Sequence, residues 1–186
     1  IIPKNDDYFT EYAENDRLKK ITGFSGSAGI AVILKKNNYL FVDGRYTIQA
    51  HQESSKNFKI IEIHKKLPNK IIKNCNLGYD PKLFTNNTLK KYFSNNSLVS
   101  IDNNLIDQIS KFKKKKTKSF YSIKSKIVGE THKSKINRVR KFMKSNQADY
   151  LFISAPENVA WLLNIRGYDN PNSPIPNARL IIDKYK

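Results

Sequence analysis

The sequence predicts an α/β fold, and three observations support this prediction. Short apolar runs alternate with segments of helical periodicity along most of the 186 residues. Two of these runs, at residues 30–34 and 39–42, flank a polar turn and predict a β-hairpin. After a lysine-rich segment at residues 111–126 the same order of features begins again. This weak internal repeat indicates two domains of similar architecture.

The predicted hairpin forms the centre of the first domain. Residues 30–34 are apolar and mostly β-branched, which is typical of a strand buried on both faces. Before it, Gly23, Gly26 and Gly29 lie three apart and permit a tight backbone path. Gly23-Phe24-Ser25-Gly26-Ser27 has the G-x-S-x-G form of a nucleophile elbow, but it precedes a strand instead of following one. It also lacks the Gly-Lys-Ser/Thr ending of a phosphate loop, so both motifs are excluded.

Caps, turns and periodicity predict the other elements of the first domain. Residues 1–2 indicate the end of a strand, and a polar loop follows them. Asp16 is an N-cap and Gly23 a C-terminal stop for a helix over residues 17–22. The later elements, in order, are a helix from Arg45, a strand at 58–63, a short helix near Ile71, a strand at 77–79, a helix at 85–93, a strand at 98–101 and a helix at 104–109.

A second, shorter series of elements follows the lysine-rich segment. A helix over residues 131–146 places Ile136, Val139, Phe142 and Met143 on one side. The next elements are a buried strand at 150–153, a capping box formed by Ser154 and Glu157, a buried helix at 158–163 that includes Trp161, a proline-bearing loop and a strand at 180–182.

These elements predict a domain at residues 1–110, a linker at 111–126 and the start of a second domain at 127–186. The second series stops before a counterpart of the strand at 39–42, and the chain begins without methionine. We therefore expect an excerpt of a longer protein whose second domain is truncated.

Composition limits the classes of partner that we expect. The formal net charge is +18, but the lysines are widely spread and no RNA-binding or zinc-finger motif accompanies them. We interpret the charge as a solvated surface and linker, and expect no nucleic-acid partner. No apolar run reaches the roughly 18 residues of a membrane span. Cys75 is the only cysteine, which favours a reducing compartment such as the cytoplasm.

No catalytic or metal-binding constellation is evident in the sequence. The three histidines, His51, His64 and His132, are isolated, and none belongs to an H-x-x-H or H-E-x-x-H motif. Cys75 has no base near it in sequence, so nothing identifies it as a reactive thiol. We therefore predict no catalytic residue and no metal ligand in this chain.

Two arginines are candidates for ligand binding. Arg45 follows a predicted strand through Asp43-Gly44, and α/β sheets bind ligands at the carboxyl ends of their strands. The alternative is a structural ion pair of Arg45 with Asp43 or Asp7. Arg166 lies between a predicted helix and Gly167, close in sequence to Asp169. For Arg166 the alternative is an ion pair that fixes this loop.

In combination, these motifs resemble the N-terminal region of the three-domain Xaa-Pro aminopeptidases (aminopeptidase P). The resemblance extends along nearly the whole chain, and its residues are Ile1-Ile2-Pro3, Glu11-Tyr12, Arg17, Gly23-Phe24-Ser25-Gly26-Ser27-Ala28-Gly29, Asp43-Gly44-Arg45-Tyr46, Gln49-Ala50, Gly78-Tyr79-Asp80-Pro81, Glu157, Ala160-Trp161-Leu162-Leu163-Asn164, Arg166-Gly167, Asp169 and Pro171. Residues 111–119 depart from the family pattern, which usually has a tryptophan and an Asp-Arg-Pro-like stretch there.

The resemblance implies two creatinase-like α/β domains, the first with a mixed sheet and flanking helices, followed by the start of a second, similar domain that is truncated. In this family a C-terminal domain carries catalysis, with two divalent metals, manganese or zinc, held by two Asp, one His and two Glu. They activate a water that attacks the bond before proline. The resemblance further implies no cofactor in this segment, peptide substrates with proline at the second position, a homodimer, and Arg45, Arg166 and Asp169 as substrate-binding candidates. The alternative is a catalytically inactive relative that binds protein or nucleic acid.

Overall fold

Two compact units make up the structure, Ile1–Lys113 and Lys114–Lys186. The structure is a computed structural model that describes residues 1–10, 15–110, 112, 118–170 and 172–185. The Glu11-Tyr12 and Pro171 motifs of the family resemblance lie outside the described residues. The same holds for Lys111 and for lysines 113–116 of the lysine-rich segment.

The first unit contains six strands and five helices among its described residues. In chain order they are β1 (Ile2–Pro3), α1 (Arg17–Thr22), β2 (Gly29–Ile33), β3 (Asn38–Val42), a 3-10 turn (Gly44–Tyr46), α2 (Thr47–Glu53), β4 (Phe58–Glu62), α3 (Pro68–Ile71), β5 (Asn76–Tyr79), α4 (Asn86–Phe93), β6 (Ser97–Ser100) and α5 (Leu105–Ser110). Helices accompany strands throughout the unit, and the predicted α/β class is confirmed.

The main sheet of the first unit is mixed and has the strand order β1-β2-β3-β4. β2 and β3 are antiparallel, with Gly29 opposite Val42 and Ile33 opposite Asn38, which confirms the predicted hairpin. β3 and β4 are parallel, and α2 makes the crossover between them. β5 and β6 form a separate parallel pair.

Residues of β2 and β3 alternate between two hydrophobic clusters because successive side chains of a strand point to opposite faces. Ala31 and Leu40 pack with Leu18 and Phe24 on one face of the sheet. On the other face, the cluster comprises Val32, Phe41, Ile72, Leu77, Leu83, Phe84, Leu89 and Phe93. The prediction that residues 30–34 are all buried is wrong at Ile33, which is 46% exposed at the end of β2.

The predicted caps of α1 are confirmed. The Asp16 side chain accepts a hydrogen bond from the backbone N–H of Lys19 at 2.9 Å. Gly23 ends the helix in the left-handed region, with φ of 87°. A Cβ atom on Gly23 would lie 2.5 Å from the carbonyl oxygen of Glu53, so glycine is needed for the contact as well as for the backbone conformation.

The second unit contains four strands and three helices among its described residues. In chain order they are β7 (Phe120–Ser122), α6 (Ser125–Val128), α7 (His132–Ser145), β8 (Tyr150–Ile153), α8 (Pro156–Leu163), β9 (Ile165–Gly167) and β10 (Leu180–Asp183). β8 pairs with β10 and β7 with β9, both in antiparallel fashion. β7 and the start of α6 lie within the segment that the sequence predicts to be a linker.

In the second unit, the buried faces of α7 and α8 differ from those that the sequence predicts. Met143 packs with Leu162 and Ile182, but Phe142, predicted on the same side of α7, is 68% exposed. A helical period rotates adjacent residues by about 100°, so Met143 and Phe142 point in different directions. Trp161 of α8 is likewise 54% exposed, so the prediction that it is buried is wrong.

Strand β8 is buried on one face only. Leu151 and Ile153 pack against the core of the unit, whereas Tyr150 and Phe152 are exposed. The predicted capping box is also wrong. The N-cap of α8 is Ala155, one residue after Ser154, and no side-chain cap forms. Pro156 occupies the first turn, where its missing N–H costs no helical hydrogen bond.

Candidate functional site

The carboxyl ends of β3 and β4 meet at one edge of the main sheet because these two strands are parallel. Val42 pairs with Glu62, so the residues after both strands emerge side by side. Asp43, Gly44 and Arg45 follow β3, and His64 follows β4. This is the edge at which α/β sheets commonly bind ligands.

Arg45 is held in a fixed orientation at this edge and is presented to solvent. Its backbone N–H and its Nε each donate a hydrogen bond of 2.9 Å to Oδ1 of Asp43. Its Cζ lies 5.4 Å from the centre of the Tyr46 ring, and the side chain is 72% exposed. The Arg45 guanidinium and backbone N–H hold the pKa of the Asp43 carboxyl below its ordinary value. Of the two structural pairs considered, the one with Asp43 is therefore present.

Three residues that sequence reasoning did not connect with Arg45 lie at the same edge. His64 Nε2 is 3.3 Å from Oε2 of Glu62, and that carboxylate also accepts a hydrogen bond of 2.8 Å from Lys65 Nζ. The Lys65 ammonium lowers the pKa of Glu62. The signal that could have found His64 is the strand–helix–strand order of residues 39–63. Such a unit places two parallel strands together, and with them the residues that follow each strand.

The other two candidates, Arg166 and Asp169, belong to the second unit and have different partners. Arg166 lies on β9 opposite Tyr121, and its Nη1 donates to the carbonyl oxygen of Ile165 at 2.8 Å. Asp169 Oδ2 accepts a hydrogen bond of 2.8 Å from the backbone N–H of Asn177. Asp169 therefore closes the loop between β9 and β10. The hydrogen bond of the Arg166 guanidinium is to the backbone of its own strand, β9.

A separate cavity of about 560 Å³ in the first unit is lined by acidic residues around Arg17. Arg17 forms a two-point pair with Asp107, at 2.7 and 2.8 Å, and this pair raises the arginine pKa. Asp80 accepts hydrogen bonds from the Lys82 backbone N–H and from Asn104 Nδ2. Asp80 and Asp107 thus have partners within the unit, and the Arg17–Asp107 pair connects α1 with α5.

The described ranges offer neither a metal site nor a membrane span. They contain no group of three or more His, Cys, Asp or Glu side chains that could hold a metal ion. Within the same ranges, none of the helices has the length and apolar character needed to cross a membrane. The two metal ions implied by the family resemblance therefore have no fitting ligand set in the described residues.

Comparison with family models and with known proteins gives matches along the whole chain. The model described as the creatinase/prolidase N-terminal domain matches residues 4–109, and a second model of that description matches residues 111–186. Xaa-Pro aminopeptidase 1 of Dictyostelium discoideum is 31% identical over 214 aligned residues, which cover 100% of this chain and 34% of that protein. Xaa-Pro aminopeptidase 2 of Homo sapiens is 33% identical, covering 94% of this chain and 28% of that protein.

A solved structure gives a match of the same extent. It is the crystal structure of an X-prolyl aminopeptidase from Caenorhabditis elegans, described as a cytosolic enzyme with a di-nuclear active site. The TM-score is 0.87 at 27% identity, and the match covers 100% of this chain and 33% of that one. The chain thus spans about a third of the length of the relatives that it matches.

Proposed function

Because the chain belongs to the creatinase/prolidase N-terminal domain family, we propose that it is the non-catalytic N-terminal region of a metal-dependent Xaa-Pro aminopeptidase. The observation that supports this most strongly is the similarity to the C. elegans enzyme, with a TM-score of 0.87 over the whole chain. The Xaa-Pro aminopeptidases of D. discoideum and H. sapiens support the same activity for the full-length protein.

In this proposal the full-length protein hydrolyses the bond before proline in peptides with proline at the second position. Two divalent metal ions, manganese or zinc, bound outside this chain would supply a water of lowered pKa. We further propose that the full-length protein is a homodimer and that it is cytoplasmic. The proposed location agrees with that of the C. elegans enzyme, which is described as cytosolic. The present chain would shape the substrate cleft and contribute to the dimer.

Arg45 is the residue of this chain that we propose to contact the peptide. Its guanidinium is mostly exposed, while Asp43 fixes its direction through Nε and the backbone N–H. Such a group offers several N–H donors in one plane and suits the carbonyl or carboxylate oxygens of a peptide. We rank Arg166 and Asp169 after Arg45 as candidates for peptide binding. Their described hydrogen bonds are with the backbone of their own unit, which indicates a part in fixing the loop after β9.

The experiment that tests the proposal compares the full-length protein with the 186-residue chain. Both are assayed with manganese on an Xaa-Pro peptide and on the same peptide with alanine in place of proline. We expect the full-length protein to release the N-terminal residue from the proline peptide and the chain alone to show no turnover. Robust cleavage by the chain alone would contradict the proposal that catalysis lies outside it.

Arg45→Ala in the full-length protein tests the proposed peptide contact. We expect kcat/KM to fall about tenfold, mainly through KM, because a hydrogen bond to a charged group contributes about 1.5–3 kcal/mol. Arg138→Ala is the matched control, since Arg138 is also an exposed arginine in an ion pair, with Glu130. If Arg45→Ala lowers the thermal stability but leaves kcat/KM unchanged, Arg45 has only the structural role.

A further inference from the structure

Gly44, next to Arg45, lies directly against the imidazole ring of His64. A Cβ atom added to Gly44 would be 2.7 Å from Cε1 and 3.3 Å from Nδ1 of His64. Carbon atoms in contact are normally separated by about 3.5–4.0 Å. Among the described residues, the glycines with positive φ are Gly23 and Gly129, so the backbone of Gly44 does not itself demand glycine. The contact is with the tip of the His64 side chain, which is 59% exposed, so a larger residue at position 44 would require this ring or the turn to shift.

The imidazole is held in this place from the side of β4. Its Nε2 is 3.3 Å from Oε2 of Glu62, the last residue of that strand. The Glu62 carboxylate is fixed in turn by Lys65 Nζ at 2.8 Å, and the Thr47 hydroxyl in the first turn of α2 donates to the carbonyl oxygen of Gly44 at 3.1 Å. His64 is thus attached to the end of β4, while its ring contacts the turn that follows β3.

The turn that carries Arg45 is consequently supported on two sides. Asp43 binds the Arg45 backbone N–H and Nε, and His64 packs against Gly44 between them. We infer that His64 is a positioning residue, which acts through Arg45 by keeping its guanidinium in the direction required for peptide binding. This inference rests on the proposed function and adds to it a residue from a second strand.

The test measures kcat and KM separately for His64→Ala, Arg45→Ala and the double variant of the full-length protein. Because His64→Ala removes the support of the Arg45 turn and weakens the Arg45–peptide hydrogen bond without deleting it, we expect kcat/KM to fall about fivefold, less than the loss expected for Arg45→Ala. We expect this loss to appear in KM with kcat unchanged. The double variant should be no worse than Arg45→Ala alone, because a residue that acts through Arg45 has no effect once Arg45 is absent.

Two further variants separate positioning from a loss of stability. Gly44→Ala should reproduce the rise in KM, since its methyl group would force the His64 ring and the turn that carries Arg45 apart. His64→Phe keeps a flat ring against Gly44 and should remain within about twofold of the natural protein. His51→Ala, at an exposed histidine of α2, is the control that should leave KM unchanged. The thermal unfolding temperature of every variant is measured in parallel.

The possible outcomes distinguish the inference from the proposed function. If Arg45→Ala raises KM but His64→Ala and Gly44→Ala do not, the inference about His64 is overturned and the proposed role of Arg45 stands. If the effects of His64→Ala and Arg45→Ala multiply, His64 acts independently of Arg45, and the inference is again overturned. If Arg45→Ala leaves KM unchanged, the proposed peptide contact fails and the positioning role fails with it.

Discussion

At the residue scale, the geometry of the candidate site depends on one carboxylate. Asp43 caps the 3-10 turn after β3 through the backbone N–H of Arg45 and binds the Nε of the same residue. A single side chain therefore fixes both the turn and the direction of the guanidinium that the turn presents. Because only the ionised carboxylate offers a full negative charge to the guanidinium, the arrangement is strongest while Asp43 is deprotonated.

The pH dependence of this pair gives a residue-scale prediction. Hydrogen bonds from Arg45 lower the pKa of Asp43, so the pair contributes stability above the unfolded pKa of about 3.9 and loses it as pH falls through the lower folded value. We expect the Asp43 carboxyl carbon to titrate below the range of an ordinary aspartate in an NMR titration of the ¹³C-labelled chain. In Arg45→Ala this pKa should rise, and in Arg138→Ala it should stay unchanged. An ordinary pKa for Asp43 in the natural sequence would contradict the prediction.

The sequence predicts only part of this site, for a physical reason. Arg45 could be found because Asp43-Gly44 follows an apolar strand at a position typical of ligand contacts. His64 could not be found from its neighbours, because its contact with Gly44 spans 20 positions of sequence and depends on the parallel pairing of β3 with β4. Pairing partners are set by tertiary structure, whereas apolar periodicity reports only local burial.

At the scale of elements, α7 and α8 are connected by a buried lysine. Lys135 is 4% exposed, and its Nζ donates to the carbonyl oxygen of Trp161 and to Oδ1 of Asn164, at 2.8 and 2.7 Å. The same ammonium lies 4.2 Å from the centre of the Trp161 ring. It thus satisfies a carbonyl in the last turn of α8, the end of a helix that attracts positive charge.

This buried lysine yields an element-scale prediction. Lys135→Ala should lower the free energy of unfolding of the second unit by about 2–4 kcal/mol, because the buried Asn164 Oδ1 loses its donor, the Trp161 carbonyl loses one of two donors, and a void remains. Lys133→Ala, at an exposed position of the same helix, should change it by less than about 0.5 kcal/mol. Urea unfolding followed by fluorescence reports directly on this region, since Trp161 is the only tryptophan of the chain. Equal effects of the two substitutions would contradict the prediction.

Elements with local signals could be predicted, and those without them could not. The caps Asp16 and Gly23 determine α1, and a polar turn between two apolar runs determines the hairpin. β7 and β9 have three residues each, too few to show an alternating pattern. The exposed face of β8 was missed because an apolar run indicates burial without identifying which face the rest of the protein covers.

At the scale of the whole molecule, the balance of charge is the dominant feature. The chain has 34 lysine and arginine residues against 16 acidic ones. Several described lysines form ion pairs, as Lys4 does with Asp16, Lys65 with Glu62 and Lys184 with Asp149. Acidic residues also gather around the Arg17 cavity in the first unit. The positive charge is therefore interrupted by acidic groups, which is unfavourable for tracking a phosphate backbone.

This interruption predicts weak and purely electrostatic binding to nucleic acid. Fluorescence anisotropy with a labelled DNA duplex of about 20 base pairs should show binding at 50 mM salt that weakens by about 100-fold or more at 200 mM. Replacing lysines 113–116, in the densest basic run of the sequence, with glutamine should reduce the slope of log K against log salt. A duplex of unrelated sequence should bind equally well, because phosphate contacts do not read bases. A dissociation constant below about 1 μM at 150 mM salt would instead support a nucleic-acid-binding function, since non-specific binding at such salt is typically weaker.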